Sequence, residues 1–120
     1  MKNFKIVSLG CIIAIFSTLL FLNSCSKSSS VAAPVGTPGT NEVWMQNTAF
    51  VPSTKTISVG TTVTWINKDN ADHDVTSNSG IFFSPTMGKN ATFSYKFDAV
   101  GTFDYNCTFH SGMTGKIIVQ

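Results

Sequence analysis

The run Gly101-Thr102-Phe103-Asp104-Tyr105-Asn106-Cys107-Thr108-Phe109-His110-Ser111-Gly112-Met113 carries two signals in succession. In its first half the larger apolar side chains alternate. Phe103, Tyr105 and Cys107 therefore share one face of a β-strand that delivers the Cys107 thiol to its end. In its second half the spacing becomes Cys-x-x-His-x-x-Met, with a thiol, an imidazole and a thioether inside seven residues. A strand that runs into such a loop predicts a β-protein with its chemistry gathered at the end of a sheet.

The chain on either side of this run follows the same period. Thr56-Ile57-Ser58-Val59 alternates with Ile57 and Val59 on one face, and Gly60-Thr61 turns the chain. Thr62 to Asn67 alternates again with Val63 and Trp65 inward. A polar turn from Lys68 to Asp72 precedes a strand from His73 to Ser77. Phe93, Tyr95 and Phe97 share a face of the next strand, and Lys116 to Val119 closes the chain. Between Asn78 and Asn90 the pattern weakens. Ile81-Phe82-Phe83 is apolar, but Pro85 follows and cannot donate to a central ladder. This segment is expected to be a loop or edge covering one side. Short strands at roughly 8–12-residue spacing, with no lasting helical period, predict an all-β sandwich or barrel.

The chain has 120 residues, enough for one domain. Met1 to Lys5 is a short basic start, and Ile6 to Leu22 is an apolar run of 17 residues, the pattern of an export signal. Leu22-Asn23-Ser24-Cys25 resembles a bacterial lipobox. By that resemblance residues 1–24 are a lipoprotein signal peptide and Cys25 carries the lipid. An uncleaved membrane anchor, for which such a run is at the lower limit, and a plain signal peptide cut elsewhere are the alternatives. All three leave the C-terminal part outside the cytoplasm. The lipobox reading makes the protein an exported, membrane-anchored lipoprotein facing the periplasm or cell surface. Residues 25–40 are the lipidated Cys25 and a tether, since 26–40, built from Ser, Gly, Ala, Val, Thr and Pro with a single Lys, cannot bury a face. The folded domain is expected over 41–120.

Eight Lys and no Arg stand against six acidic residues. Loss of residues 1–24 removes Lys2 and Lys5, which leaves six Lys against six acids and no net charge. A neutral surface without Arg is poorly suited to neutralising phosphates, so nucleic acid is set aside as a partner. Docking on another protein would rest on apolar surface more than on steering charges. The three Cys form no disulfide framework. Cys11 lies inside the apolar run, Cys25 ends it, and Cys107 stands alone. A lone thiol in an oxidising compartment must be ligated, buried or catalytic.

Soft sulfur together with imidazole nitrogen selects copper, and two His, one Cys and a weak axial Met make an electron-transfer site. The second imidazole can come only from His73, the other His of the chain. The expected ligands of a single copper ion are therefore His73, Cys107, His110 and Met113. Taken singly each has an ordinary alternative. These are a structural core Cys, a surface or satisfied His beside three aspartates, a loop His, and a core Met. The joint spacing is what selects the metal.

Val59-Gly60-Thr61-Thr62-Val63-Thr64-Trp65-Ile66-Asn67, then His73-Asp74-Val75-Thr76, then Gly101 to Cys107 and Met113-Thr114-Gly115, carry a family pattern. Over residues 41–120 the chain resembles the cupredoxins of the plastocyanin, pseudoazurin and amicyanin group. The short Cys-x-x-His-x-x-Met loop is similar to that of amicyanin. The resemblance implies a Greek-key β-sandwich of about 7–8 strands. It also implies a type 1 (blue) copper one-electron carrier cycling between Cu(II) and Cu(I). His73 would be buried, and the edge of His110 would reach the surface where electrons enter and leave. Phe109 and His110 would meet a redox protein donor and acceptor in the cell envelope, with the protein a monomer. Asn67 is expected by the same resemblance to hydrogen-bond near Thr108, tying the His73 loop to the residue after Cys107. Phe109 departs from the pattern, since many members have Pro there.

Two other classes compete. A copper-holding or copper-delivery lipoprotein of the same fold would need an exchangeable ion. An enzyme would need more. No His remains to build a second copper site, and a Cys107–His73 nucleophilic dyad would leave the His110–Met113 spacing without a purpose. The reading is a carrier and not an enzyme.

Overall fold

The computed structural model describes residues 36–120. The expected signal peptide, Cys25 and residues 26–35 of the tether lie outside the described residues. The chain forms β1 (Glu42–Gln46), β2 (Ala49–Val51), β3 (Thr54–Ile57), β4 (Thr61–Asn67), β5 (Thr76–Ser77), β6 (Thr92–Phe97), β7 (Gly101–Asn106) and β8 (Thr114–Val119). They make two four-stranded sheets, ordered β2-β1-β4-β6 and β3-β8-β7-β5. Each sheet holds one parallel pair, β1 with β4 and β3 with β8, among antiparallel ones. The chain passes repeatedly from one sheet to the other, so the two inner faces close on a shared core. This is the all-β sandwich expected from the alternation.

β4 shows why the alternation dictates the fold. Val63, Trp65 and Asn67 point inward and are fully buried, while Thr62 on the other face is exposed. Trp65 meets Tyr105 of the opposite sheet edge-on, with ring centroids 5.5 Å apart at 86°. Phe82, Phe93 and Phe97 surround the same indole at 5.6, 5.7 and 6.4 Å. Each such aromatic pair adds about 0.5–1.5 kcal/mol to the area it buries, and here the pairs bind the two sheets together.

The segment from Asn78 to Asn90 contains no regular strand and covers the open side between β5 and β6, in line with the proline argument. It touches the sheet through two isolated bridges, Thr76 to Phe83 and His73 to Met87. Phe82 is its plug, 3 % exposed, while the neighbouring Phe83 faces solvent at 74 %.

Two expectations differ from the structure, and one hairpin was not expected. Val59 is exposed, because β3 ends at Ile57 and the backbone leaves the strand there. Thr61 N–H bonds Ser58 O, and Gly60 takes φ +84°, which turns Val59 outward. The strand from His73 to Ser77 is regular only over Thr76–Ser77. Its first residues pair instead with the covering segment. Finally β1 and β2 form a hairpin through Asn47 and Thr48, both at positive φ, which the sequence reading passed over. Val43 and Met45, alternating and fully buried, were the available signal.

The end of the sandwich that matters is defined by two loops. The chain between β4 and β5 carries His73, and the loop between β7 and β8 starts at Cys107 and ends at Met113. Pairing of Asn106 with Thr114 closes that loop at its base.

Candidate metal centre

Cys107 lies just past β7, on the inward face that its alternation with Tyr105 dictates, and is 3 % exposed with a free thiol. Its N–H donates to Met113 O at 2.9 Å, and Met113 N–H donates to His110 O at 3.2 Å. The loop is thereby folded back on itself. Gly112, at φ +83°, supplies the left-handed residue that the tight return requires. Met113 is buried beside the two residues that its backbone holds. His110 is half-buried, and Phe109 stands 52 % exposed next to it.

His73 is fully buried. It reaches the same point from the other loop, its backbone held by paired hydrogen bonds with Met87 at 3.1 and 2.8 Å. His73 Nδ1 lies 3.1 Å from His110 Nδ1 and 3.7 Å from Cys107 Sγ, and His110 Nδ1 lies 3.6 Å from the same sulfur. The centre of a triangle with these sides is about 2.0 Å from each corner, a metal–nitrogen bond length. Among the described residues this is the group of His, Cys and acidic side chains placed to hold an ion. Two nitrogens and a sulfur, with a buried methionine alongside, are donors that suit copper.

The other nitrogen of His73 fixes which atom faces the centre. Nε2 lies 2.9 Å from Asp69 Oδ2. An ionised carboxylate only accepts, so the imidazole proton sits on Nε2 and Nδ1 presents a lone pair. Asp69 is itself held by Asn47 N–H at 2.8 Å and Thr48 N–H at 2.9 Å, the two left-handed residues of the β1–β2 turn. Burial pushes the Asp69 carboxyl up. The N–H groups of Thr48 and Asn47 and the His73 imidazole outweigh it and hold the group below the ordinary aspartate value.

Asn67 does not bond Thr108. Its amide nitrogen donates to Ala71 O and Met87 O, both at 2.8 Å, and its Oδ1 accepts Asp69 N–H at 2.8 Å. Both amide hydrogens and the bond that Oδ1 accepts go to shaping the turn before His73 and not to the Cys107 loop. The tie to Thr108 comes from Asp74, whose Oδ1 accepts Thr108 N–H at 2.6 Å and whose Oδ2 accepts the Thr108 hydroxyl. Asp69 and Asp74 are the supporting residues that the sequence reading missed. The signal was present in the three aspartates around His73, Asp69, Asp72 and Asp74, which entered the sequence reading only as neighbours of an ordinary His.

Comparison with known proteins agrees with this geometry. The profile of the family described as "Cupredoxin-like domain" matches residues 11–119. Amicyanin-alpha of Methylorubrum extorquens is 34 % identical over 113 residues, covering 90 % of this chain and 92 % of its own length. Amicyanin of Paracoccus denitrificans is 39 % identical over 69 residues, 53 % of this chain and 53 % of its own. Among solved structures, a single-substitution variant of amicyanin in its Cu(I) form superposes with TM-score 0.64 at 32 % identity, over 74 % of this chain and 88 % of that one.

Proposed function

The chain belongs to the cupredoxin-like family, and from that premise we propose that His73, Cys107, His110 and Met113 hold the copper ion of a type 1 electron carrier. The observation that carries this is the triangle of two Nδ1 atoms and one Sγ, with sides of 3.1 to 3.7 Å. When bound there, copper supplies one-electron chemistry between its Cu(II) and Cu(I) states. The protein's part is to hold the donors still. The sheets fix Cys107 and Met113 at adjoining strand ends, Asp69 fixes the His73 ring, and the core excludes water from all but the His110 side. A site that does not move loses little free energy to reorganisation when an electron arrives.

Carrier function is favoured over copper delivery by burial. Release of the ion needs ligand exchange, and His73 and Cys107, 0 % and 3 % exposed, leave an incoming ligand no access except past His110. For the same reason electrons enter and leave at His110, with Phe109 as the apolar contact beside it for a redox protein donor and acceptor. The cellular setting rests on the sequence. Residues 1–24 are a signal peptide, lipidated Cys25 and the tether to residue 40 anchor a monomeric domain over 41–120, and the domain lies in the cell envelope.

Titration of the protein with Cu(II), followed by visible and EPR spectra, tests the ligand set. An intense blue band with narrow copper hyperfine splitting at a single copper per chain is the expected result. A pale, ordinary Cu(II) spectrum would remove Cys107 from the site and the carrier reading with it.

A further inference from the structure

Asp74 is a carboxylate in an unusual position. It is 8 % exposed, directly follows His73, and accepts both the N–H and the hydroxyl of Thr108, which directly follows Cys107. Thr76 Oγ1 adds a longer contact at 3.4 Å to Oδ2. Every group facing the carboxylate is a donor, so both of its oxygens act as acceptors. Among the described residues its partners are these neutral donors. The Lys that form ion pairs do so with Asp98 and Asp104. Asp74 is therefore a buried negative charge beside the metal centre with no cation next to it, in surroundings where a charge acts over a longer range than in water.

We infer that the negative charge of Asp74, the residue whose clamp on Thr108 is described above, lowers the reduction potential of the copper site. The inference rests on the copper reading above. Its reasoning has two parts. The clamp joins two loops that are 34 residues apart in the chain, and it spans the Cys107 and His73 sides of the donor triangle. Reduction brings a single electron from the reduced partner protein and lowers the net charge of the site by one, with no bond of this chain made or broken. A fixed negative charge nearby opposes that gain and favours the oxidised form.

The test is potentiometry on the copper-loaded protein with Asp74→Asn and Asp74→Glu. Asp74→Asn keeps the shape and removes the charge. It should retain the blue band and shift the Cu(II)/Cu(I) balance about tenfold toward the reduced form, or about 59 mV for a one-electron couple. Asp74→Glu keeps the charge and should stay nearer the parent than Asp74→Asn does. A blue Asp74→Asn protein with the parent's potential overturns the inference while leaving the copper reading intact. A parent protein without a blue band overturns the copper reading itself. If Asp74→Asn does not fold, Thr108→Val decides. It keeps the charge but removes a donor that offsets it, so the potential should fall, and an unchanged or raised potential overturns the inference.

Discussion

The ring of Tyr105 lies where a side chain of Gly115 would stand. The two residues pair directly across β7 and β8, and a Cβ on Gly115 would collide with the Tyr105 ring. No left-handed backbone angle is involved, so the requirement for glycine is one of space. It sets the depth at which Tyr105 inserts between the sheets to meet Trp65 and Phe50. Gly115→Ala should therefore act as overpacking and cost about 1–3 kcal/mol in urea unfolding. Parent-like stability would show that the ring can move aside.

Phe82 and Phe83 are adjacent and opposite. Phe82 packs on Trp65, Phe93, Tyr95, Phe97 and Tyr105, while Phe83 faces water. Phe82→Ala should lower the unfolding free energy by about 3–5 kcal/mol. Phe83→Ala should stay within about 0.5 kcal/mol of the parent. Equal losses would mean that the covering segment is held by something other than its plug.

Asp69 orients His73 and is anchored in turn by the β1–β2 hairpin. Removing it with Asp69→Ala leaves the ring free to rotate and its Nε2 proton unpaired. Copper affinity, measured by competition with a chelator of known strength, should fall about 10–100-fold. Unchanged affinity would show that Met87 and the core hold the ring without help.

Phe109 is exposed beside His110, and a docking role makes it sensitive to charge. With His110 as the proposed electron port, self-exchange between oxidised and reduced copies, followed by NMR line broadening, brings two His110 faces together. Phe109→Lys should slow it about tenfold, equivalent to 1.4 kcal/mol of docking free energy, with the visible spectrum unchanged. An unaltered rate would place the contact elsewhere.

Glu42 accepts the N–H of Gly39 at 3.0 Å and the indole N–H of Trp44 at 2.9 Å. These bonds, the Gly39 one foremost, hold its carboxyl below the ordinary 4.5. A depressed carboxyl contributes stability that is complete above its unfolded value and lost as pH falls through its folded value. The parent should thus lose stability below about pH 4.5 more steeply than Glu42→Gln, as read from urea midpoints across that range. Parallel curves would remove Glu42 from the acid response.

How much of this was legible in the sequence follows from the distance between partners. Alternation is a local period, so β4, β6, β7 and β8 were readable from Val63 and Trp65, Phe93 to Phe97, Phe103 to Cys107, and the closing run. Val59 was misread because the same alternation continues past a strand's end, and only a turn hydrogen bond shows where it stops. The Cys107, His110 and Met113 spacing lies in one loop and could be read directly. His73 was assigned by being the other His.

The supporting residues were not readable in that way. Asp69, Asp72 and Asp74 all lie within four residues of His73, and nothing local separates them. Which carboxylate meets the imidazole and which meets Thr108 depends on how the turn after β4 is held by Asn67, and on where β7 ends in the facing sheet. Composition and period therefore set the architecture and the donor atoms of this protein. The assembled sandwich assigns each aspartate its partner, because a hydrogen bond is chosen by proximity in space between segments that sequence order keeps far apart.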